Sequence, residues 1–160
     1  MGIHMPVALS AEGATGTCVV LITPDAERTM RTSLGVSTQL APIHIDASAV
    51  SNSRWLFIEG YVFSNSDDGR AAIKESLRIA RDSQTKVAIT CSDAWIVSGF
   101  EKPLREALQV TDLIFANEEE SVALAGAKDV VSAGRVLKAK AERMHSKHLT
   151  PARQCRGQRR

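Results

Sequence analysis

Cysteine is scarce in this 160-residue chain: Cys18, Cys91 and Cys155 stand far apart, with no Cys-x-x-Cys pair. That indicates neither a disulfide framework nor a cysteine zinc site. Two of the three are expected in predicted strands, where a buried thiol acts as a small hydrophobe. Aromatic residues make up only 4%, too few for a stacking platform for single-stranded nucleic acid. Long apolar runs are absent: the longest, such as Val19 to Ile22, fall far short of the roughly 18 residues that span a bilayer. No Gly-x-x-x-x-Gly-Lys phosphate loop and no Gly-x-Ser-x-Gly elbow is present, so a P-loop and a serine hydrolase are unsupported. His145 and His148 stand three apart, but no third ligand accompanies them for zinc. The start, Met1-Gly2-Ile3-His4-Met5-Pro6, has no basic-then-apolar signal, and Pro6 stands where myristoylation wants Ser or Thr. A reducing, cytoplasmic location is expected.

What is present is ordinary for a globular domain: 44% hydrophobic and 24% charged residues. The charge is uneven. Residues 138–160 carry eight Lys or Arg against Glu142, a net +7 in a chain of +2, so residues 1–137 carry −5. The chain therefore reads as a disordered N-terminus (1–14), a domain (15–137) and a basic tail (138–160) of non-native character. Nucleic-acid binding by that tail is a weaker reading than a solvated terminus.

Thr17 to Thr23 is β-branched and ends at the Pro24-Asp25 turn signal, and Arg28 to Leu34 alternates, so 17–34 reads as a partly exposed hairpin. From Arg54 the pattern becomes strand–helix alternation. Strands are predicted at Trp55 to Ile58, Lys86 to Thr90 and Asp112 to Ala116. The first, continuously apolar, is expected to be covered on both faces. Helices are predicted at about 68–82, at 100–108, from Asn117 and from Asp129. The fold class is α/β, with right-handed crossovers and a parallel sheet.

Candidate functional residues cluster at predicted strand ends. Asn117 and Glu120 follow the third strand as Asn-x-x-Glu. A carboxylate there can hold magnesium and position phosphates. The same spacing is a capping-box variant, and on spacing alone that structural reading is the stronger. Glu59 follows the first strand, either accepting hydrogen bonds from sugar hydroxyls or standing as a solvated loop acid. Arg28 in the hairpin can meet an anionic or hydroxyl-rich ligand, although a solvated charge beside Glu27 is the stronger reading.

Thr15-Gly16-Thr17-Cys18, Ile22-Thr23-Pro24-Asp25-Ala26-Glu27-Arg28-Thr29-Met30 and Leu34-Gly35 together resemble the lid hairpin of the phosphofructokinase-B family. These are the ribokinase-like sugar and nucleoside kinases, and the match is to the adenosine-kinase-like branch. Phe57-Ile58-Glu59-Gly60-Tyr61 resembles the branch's next strand, and Phe115 to Glu120 its Asn-x-x-Glu motif. The resemblance implies a partial ribokinase-like fold with a hairpin lid, and transfer of the γ-phosphate of ATP to a hydroxymethyl group. It implies that Asn117 and Glu120 organise magnesium and phosphate, that Arg28 lies in the lid and that Glu59 lies near a sugar or nucleoside. ATP and Mg²⁺ are the implied cofactors.

The departures are as specific. The family's Gly-Ala-Gly-Asp motif, which holds its general base, is absent from this sequence, as is its upstream Gly-Gly motif. The expectation is therefore a central kinase fragment, inactive as this chain. The alternative is a non-catalytic sugar- or nucleoside-binding or oligomerisation module. No membrane contact is expected, and self-association through exposed sheet edges is.

Overall fold

The computed structural model describes residues 12–148, with side-chain environments through residue 139. Most of the expected disordered N-terminus, the last dozen residues of the basic tail, and the side chains of His145 and His148 lie outside the described residues. The chain divides into two units, one up to Ala116 and one from Asn117.

In the first unit, β1 (Thr17–Ile22) and β2 (Arg28–Ser33) form an antiparallel hairpin in which Cys18 faces Thr32 and Ile22 faces Arg28. Ala26, at φ 65°, turns the chain, donating to the Thr23 carbonyl at 2.9 Å. Asp25 accepts a short hydrogen bond from the Thr23 hydroxyl, which draws its carboxyl below the ordinary value. Every hairpin residue is exposed. Cys18 therefore departs from the expected buried thiol, because neither face of this two-stranded ribbon has a layer against it; Cys91 is buried, just past its strand. At the hairpin base Gly35 has φ +53°, and a Cβ there would stand 2.2 Å from the Ala14 carbonyl oxygen. Only glycine fits that approach.

After two short 3-10 turns and α1 (Ala47–Ser51), the chain builds a parallel sheet from β3 (Trp55–Ile58), β4 (Lys86–Thr90) and β5 (Leu113–Phe115), in the order β3-β4-β5. Between β3 and β4 runs α2 (Asp67–Ser83). Ser66 caps it by accepting from the Gly69 N–H, and Gln84 ends it in the left-handed conformation. Its stripe of Ala72, Ile73, Leu77 and Ala80 is buried, and α2 packs on β3 and β4, whose Ile58, Val87 and Ile89 are buried with it. Between β4 and β5 come α3 (Ala94–Gly99) and α4 (Glu101–Leu108), which bury Ile96, Val97, Leu104 and Leu108. Each of these larger side chains contributes about 1.5–3 kcal/mol of burial energy. The third strand is shorter than expected, and α3 was not foreseen.

One expectation is corrected. Trp55 and Phe57 are 45% and 57% exposed, so β3 is not covered on both faces. Both crossovers step the same way along the sheet, and a fixed hand places their helices on one face.

The second unit pairs α5 (Glu118–Ala125) with α6 (Val130–His148), and Leu124 and Ala133 are buried in it. Asp129 precedes α6 and accepts from the Ser132 backbone N–H and hydroxyl, both at 2.8 Å. These bonds hold its carboxyl below the ordinary 3.8. A lowered folded-state pKa means that the stabilisation is complete above the ordinary value and is lost as pH falls through the lowered one. Protection of the Ser132 amide is therefore expected to stay constant from neutral pH into the ordinary carboxylate range and to fall only below it. Hydrogen exchange read by NMR checks this; protection already falling near neutrality would exclude the Asp129 cap.

Candidate functional site

The carboxyl ends of β3 and β4 meet in a hydrogen-bonded cluster. Glu59, the residue after β3, caps the 3-10 turn Gly60–Ser64. Its Oε2 accepts from the Tyr61 N–H at 3.1 Å, and its Oε1 accepts from the Ser92 hydroxyl at 2.5 Å. Ser92 Oγ in turn accepts from the Gly60 N–H at 2.9 Å. Ser92 has φ +66°, two residues past β4. Gly60 permits the approach: a Cβ there would lie 2.5 Å from the Thr90 carbonyl oxygen and 2.6 Å from that of Cys91. Neither oxygen can withdraw without shifting backbone.

Asp93 extends the cluster. Its Oδ1 accepts from the Trp95 N–H at 3.1 Å and caps α3, while Oδ2 accepts from the Tyr61 hydroxyl at 3.4 Å. The Tyr61 and Trp95 rings lie 6.1 Å apart, and Trp95 also meets Phe100 edge-on at 6.1 Å. Arg70 stands over the Phe100 ring, and its Nη1 donates to the carbonyls of Phe63 and Asn65. Thus α2 holds the far end of the Gly60–Ser64 turn while Ser92 holds the near end.

This arrangement has a definite chemistry. An ionised carboxylate offers about four lone-pair positions, and the cluster uses two of Glu59's. The others are left for further donors. Tyr61 and Trp95 are 38% and 51% exposed and present aromatic faces beside that carboxylate. With Glu59 and Asp93 both acidic, a hydroxyl-rich neutral ligand suits the place better than an anion.

Of the candidates named from sequence, Glu59 sits in this cluster. Arg28 is exposed on β2 opposite Ile22 and makes no ion pair among the described residues. Asn117 and Glu120 form a reciprocal capping box on α5: Asn117 Oδ1 accepts from the Glu120 N–H at 2.8 Å, and Glu120 Oε2 accepts from the Asn117 N–H at 3.1 Å. Glu120 is only 6% exposed, while Asn117 is exposed. Tyr61, Ser92, Asp93 and Trp95 were not picked out from sequence. The available signal was the pair Ser92-Asp93, which begins two residues past a predicted strand end.

A separate groove of about 350 Å³ runs between α2 and α4, floored by Ile73, Leu77 and Ala107. Glu59, Ser92 and Asp93 do not line it. Its four rim cations are matched by four acids: Arg70 with Asp67, Lys74 with Glu106, Arg78 with Glu75 and Asp82, and Arg81 with Asp82. The rim thus offers no net charge for an ion, and the groove is not the candidate site. No group of three or more metal-ligating side chains occurs among the described residues, and none of their helices is long and apolar enough to cross a membrane.

A family model described as pfkB family carbohydrate kinase matches residues 3–150. Among solved structures, adenosine kinase from Sinorhizobium meliloti is similar at 30% identity and a TM-score of 0.73, over 78% of this chain and 38% of its own. A probable sugar kinase from Rhizobium etli CFN 42 is similar at 26% identity and 0.72, over 78% of this chain and 38% of its own. Adenosine kinase from Trypanosoma brucei brucei is similar at 25% identity and 0.65, over 86% of this chain and 41% of its own. No curated protein sequence matches. The chain spans about two fifths of the length of these solved relatives.

Proposed function

The chain belongs to the pfkB family of carbohydrate kinases, and from that membership we propose that it carries the acceptor-binding part of an ATP-dependent sugar or nucleoside kinase. The observation that carries the reading is the Glu59 carboxylate, fixed by Ser92 and the Tyr61 N–H with lone pairs to spare, beside the Tyr61–Trp95 pair. Ribose hydroxyls fit the carboxylate and a base fits the aromatic faces, so a nucleoside is the favoured acceptor, its hydroxymethyl group receiving the phosphoryl group. The names of the Sinorhizobium and Trypanosoma relatives agree with this. Arg28 on the exposed hairpin is the proposed lid contact to the ligand.

Asn117 and Glu120 are proposed to serve magnesium and the ATP phosphates. Magnesium takes oxygen ligands and keeps several waters. The capping box commits Glu120 Oε2, and a carboxylate so fixed retains lone pairs for a metal-bound water. The donor chemistry therefore fits. When bound, the ion would supply positive charge to the phosphates.

A second reading, a non-catalytic binding module, draws on the absent Gly-Ala-Gly-Asp motif. Calorimetry with adenosine, other nucleosides and hydroxymethyl sugars, with and without ATP and Mg²⁺, tests both. A nucleoside is expected to bind, and Glu59→Gln is expected to weaken it about tenfold or more, as loss of a charge-assisted hydrogen bond does. Binding unchanged in Glu59→Gln would remove the acceptor reading. Binding indifferent to ATP and Mg²⁺ favours the module.

A further inference from the structure

The Gly60–Ser64 turn, which carries Tyr61, is held at its two ends by different parts of the fold. At the near end Ser92 accepts from the Gly60 N–H and donates to Glu59. At the far end stands Arg70, in the first turn of α2. Its Nη1 donates to the Phe63 carbonyl at 3.0 Å and to the Asn65 carbonyl at 2.5 Å, and its Nη2 donates to Asp67 Oδ1 at 2.6 Å. Gly69 lets the helix approach: a Cβ there would lie 2.8 Å from the Asn65 Cβ. The Asp67 side chain is 99% exposed, so water screens that ion pair. The Arg70 side chain is only 26% exposed, and its two bonds to carbonyls are charge-assisted.

The same guanidinium stands 5.7 Å from the centroid of the Phe100 ring, within cation–π range. Phe100 lies where α3 gives way to α4. Its ring meets that of Trp95, and Trp95 meets Tyr61, each at 6.1 Å. The contacts close a circuit. It runs from Arg70 to the Phe63 carbonyl, back along the turn to Tyr61, across to Trp95, then through Phe100 to Arg70. Arg70 therefore bonds the segment that bears one aromatic face and packs on the ring that backs the other. Glu59 is set differently, by Ser92 and the Tyr61 N–H, at the end of the turn away from Arg70.

We propose that Arg70 is a positioning residue that sets the Tyr61 and Trp95 faces against each other, and so makes the site choose a nucleoside over the same sugar without a base. The proposal rests on the acceptor reading of the Glu59 cluster and adds to it the residue that decides between two ligand classes. Its physical ground is the guanidinium itself. A planar fork donates to two carbonyls at once while standing over an aromatic ring, whereas the ammonium of lysine keeps the charge as a point and loses the fork. The carboxylate half of the site lies outside this circuit, so a change at Arg70 falls on the base and spares the sugar.

The full chain is titrated with adenosine and with methyl ribofuranoside, the same sugar bearing a methoxy group in place of the base, and followed by ligand-observed NMR. Arg70→Lys is expected to weaken adenosine about tenfold or more, in the range that loss of base–aromatic stacking gives, and to change the riboside by less than about twofold. Phe100→Leu, which breaks the circuit at its other side, should give the same split. Arg78→Lys, on the same helix, should leave both ligands unchanged. Trp95 emission, read in a Trp55→Phe background, should be quenched by saturating adenosine and should lose that quenching in Arg70→Lys. Equal weakening of the two ligands in Arg70→Lys overturns the proposal, as does a lowered melting midpoint with the affinity ratio unmoved, or full Trp95 quenching retained in the variant. Glu59→Gln separates the two readings, because it is expected to weaken both ligands together. No effect of Glu59→Gln on either ligand removes the acceptor reading, while the Arg70 ratio is still decided by its own measurement. A chain that binds neither ligand overturns both.

Discussion

No ATP-dependent phosphorylation is expected from this chain alone in a coupled assay over a panel of sugars and nucleosides. Phosphoryl transfer depends almost entirely on positioning and electrostatic stabilisation. A general base adds about 10²- to 10⁴-fold, and the sequence contains no Gly-Ala-Gly-Asp motif to supply one. Glu59, tied to Ser92 and Tyr61, is proposed as a hydrogen-bond acceptor for the ligand rather than as a base. Loss of base and positioning together places any rate below detection. Turnover that disappears in Glu120→Ala would reverse this expectation and make the chain an enzyme by itself.

The second large effect is on stability. Phe63 lies in the Gly60–Ser64 turn and is 1% exposed. Its carbonyl accepts from Arg70 at 3.0 Å, so backbone and ring are both committed. Phe63→Ala is expected to cost about 3–5 kcal/mol through lost burial and a residual cavity, a large share of the roughly 5–15 kcal/mol that holds a domain together. Thermal unfolding should show a midpoint lowered on the order of 15–25 °C. The same variant loosens the turn that begins at Glu59, so ligand binding should fall with stability. A midpoint lowered by less than about 5 °C would take Phe63 out of the core.

Much of this architecture is written locally. The β-branched or apolar runs Trp55 to Ile58 and Lys86 to Thr90 mark their strands to the residue. The stripe of Ile73, Leu77 and Ala80 marks α2 as amphipathic. Asn117 and Glu120 announce their capping box by spacing. The six-residue α3 is too short for periodicity to speak, although Asp93 carries its cap. The cluster at Glu59 was half legible. Position after a strand marks Glu59, but its partner Ser92 lies 33 residues on, and no local pattern joins them. The bare face of β3 was illegible because an apolar strand reads the same whether one face or both are covered. Its exposure follows from crossover direction, which is a property of the sheet.

The left-handed backbone of Ser92 has a consequence for variation at this position. A non-glycine residue held there costs about 1–3 kcal/mol, and glycine would relieve it. Ser92→Gly is thus expected to gain stability on backbone grounds. It would also delete the hydroxyl that bridges Glu59 Oε1 and the Gly60 N–H. Selection for robustness alone favours glycine at this site, and selection for a fixed carboxylate favours serine. The two can be separated by comparing melting midpoint and nucleoside affinity in Ser92→Gly and Ser92→Ala, the second of which loses the hydroxyl without gaining the freedom. Serine at φ +66° keeps a hydroxyl tied to both Glu59 and Gly60, which glycine would give up for an easier backbone.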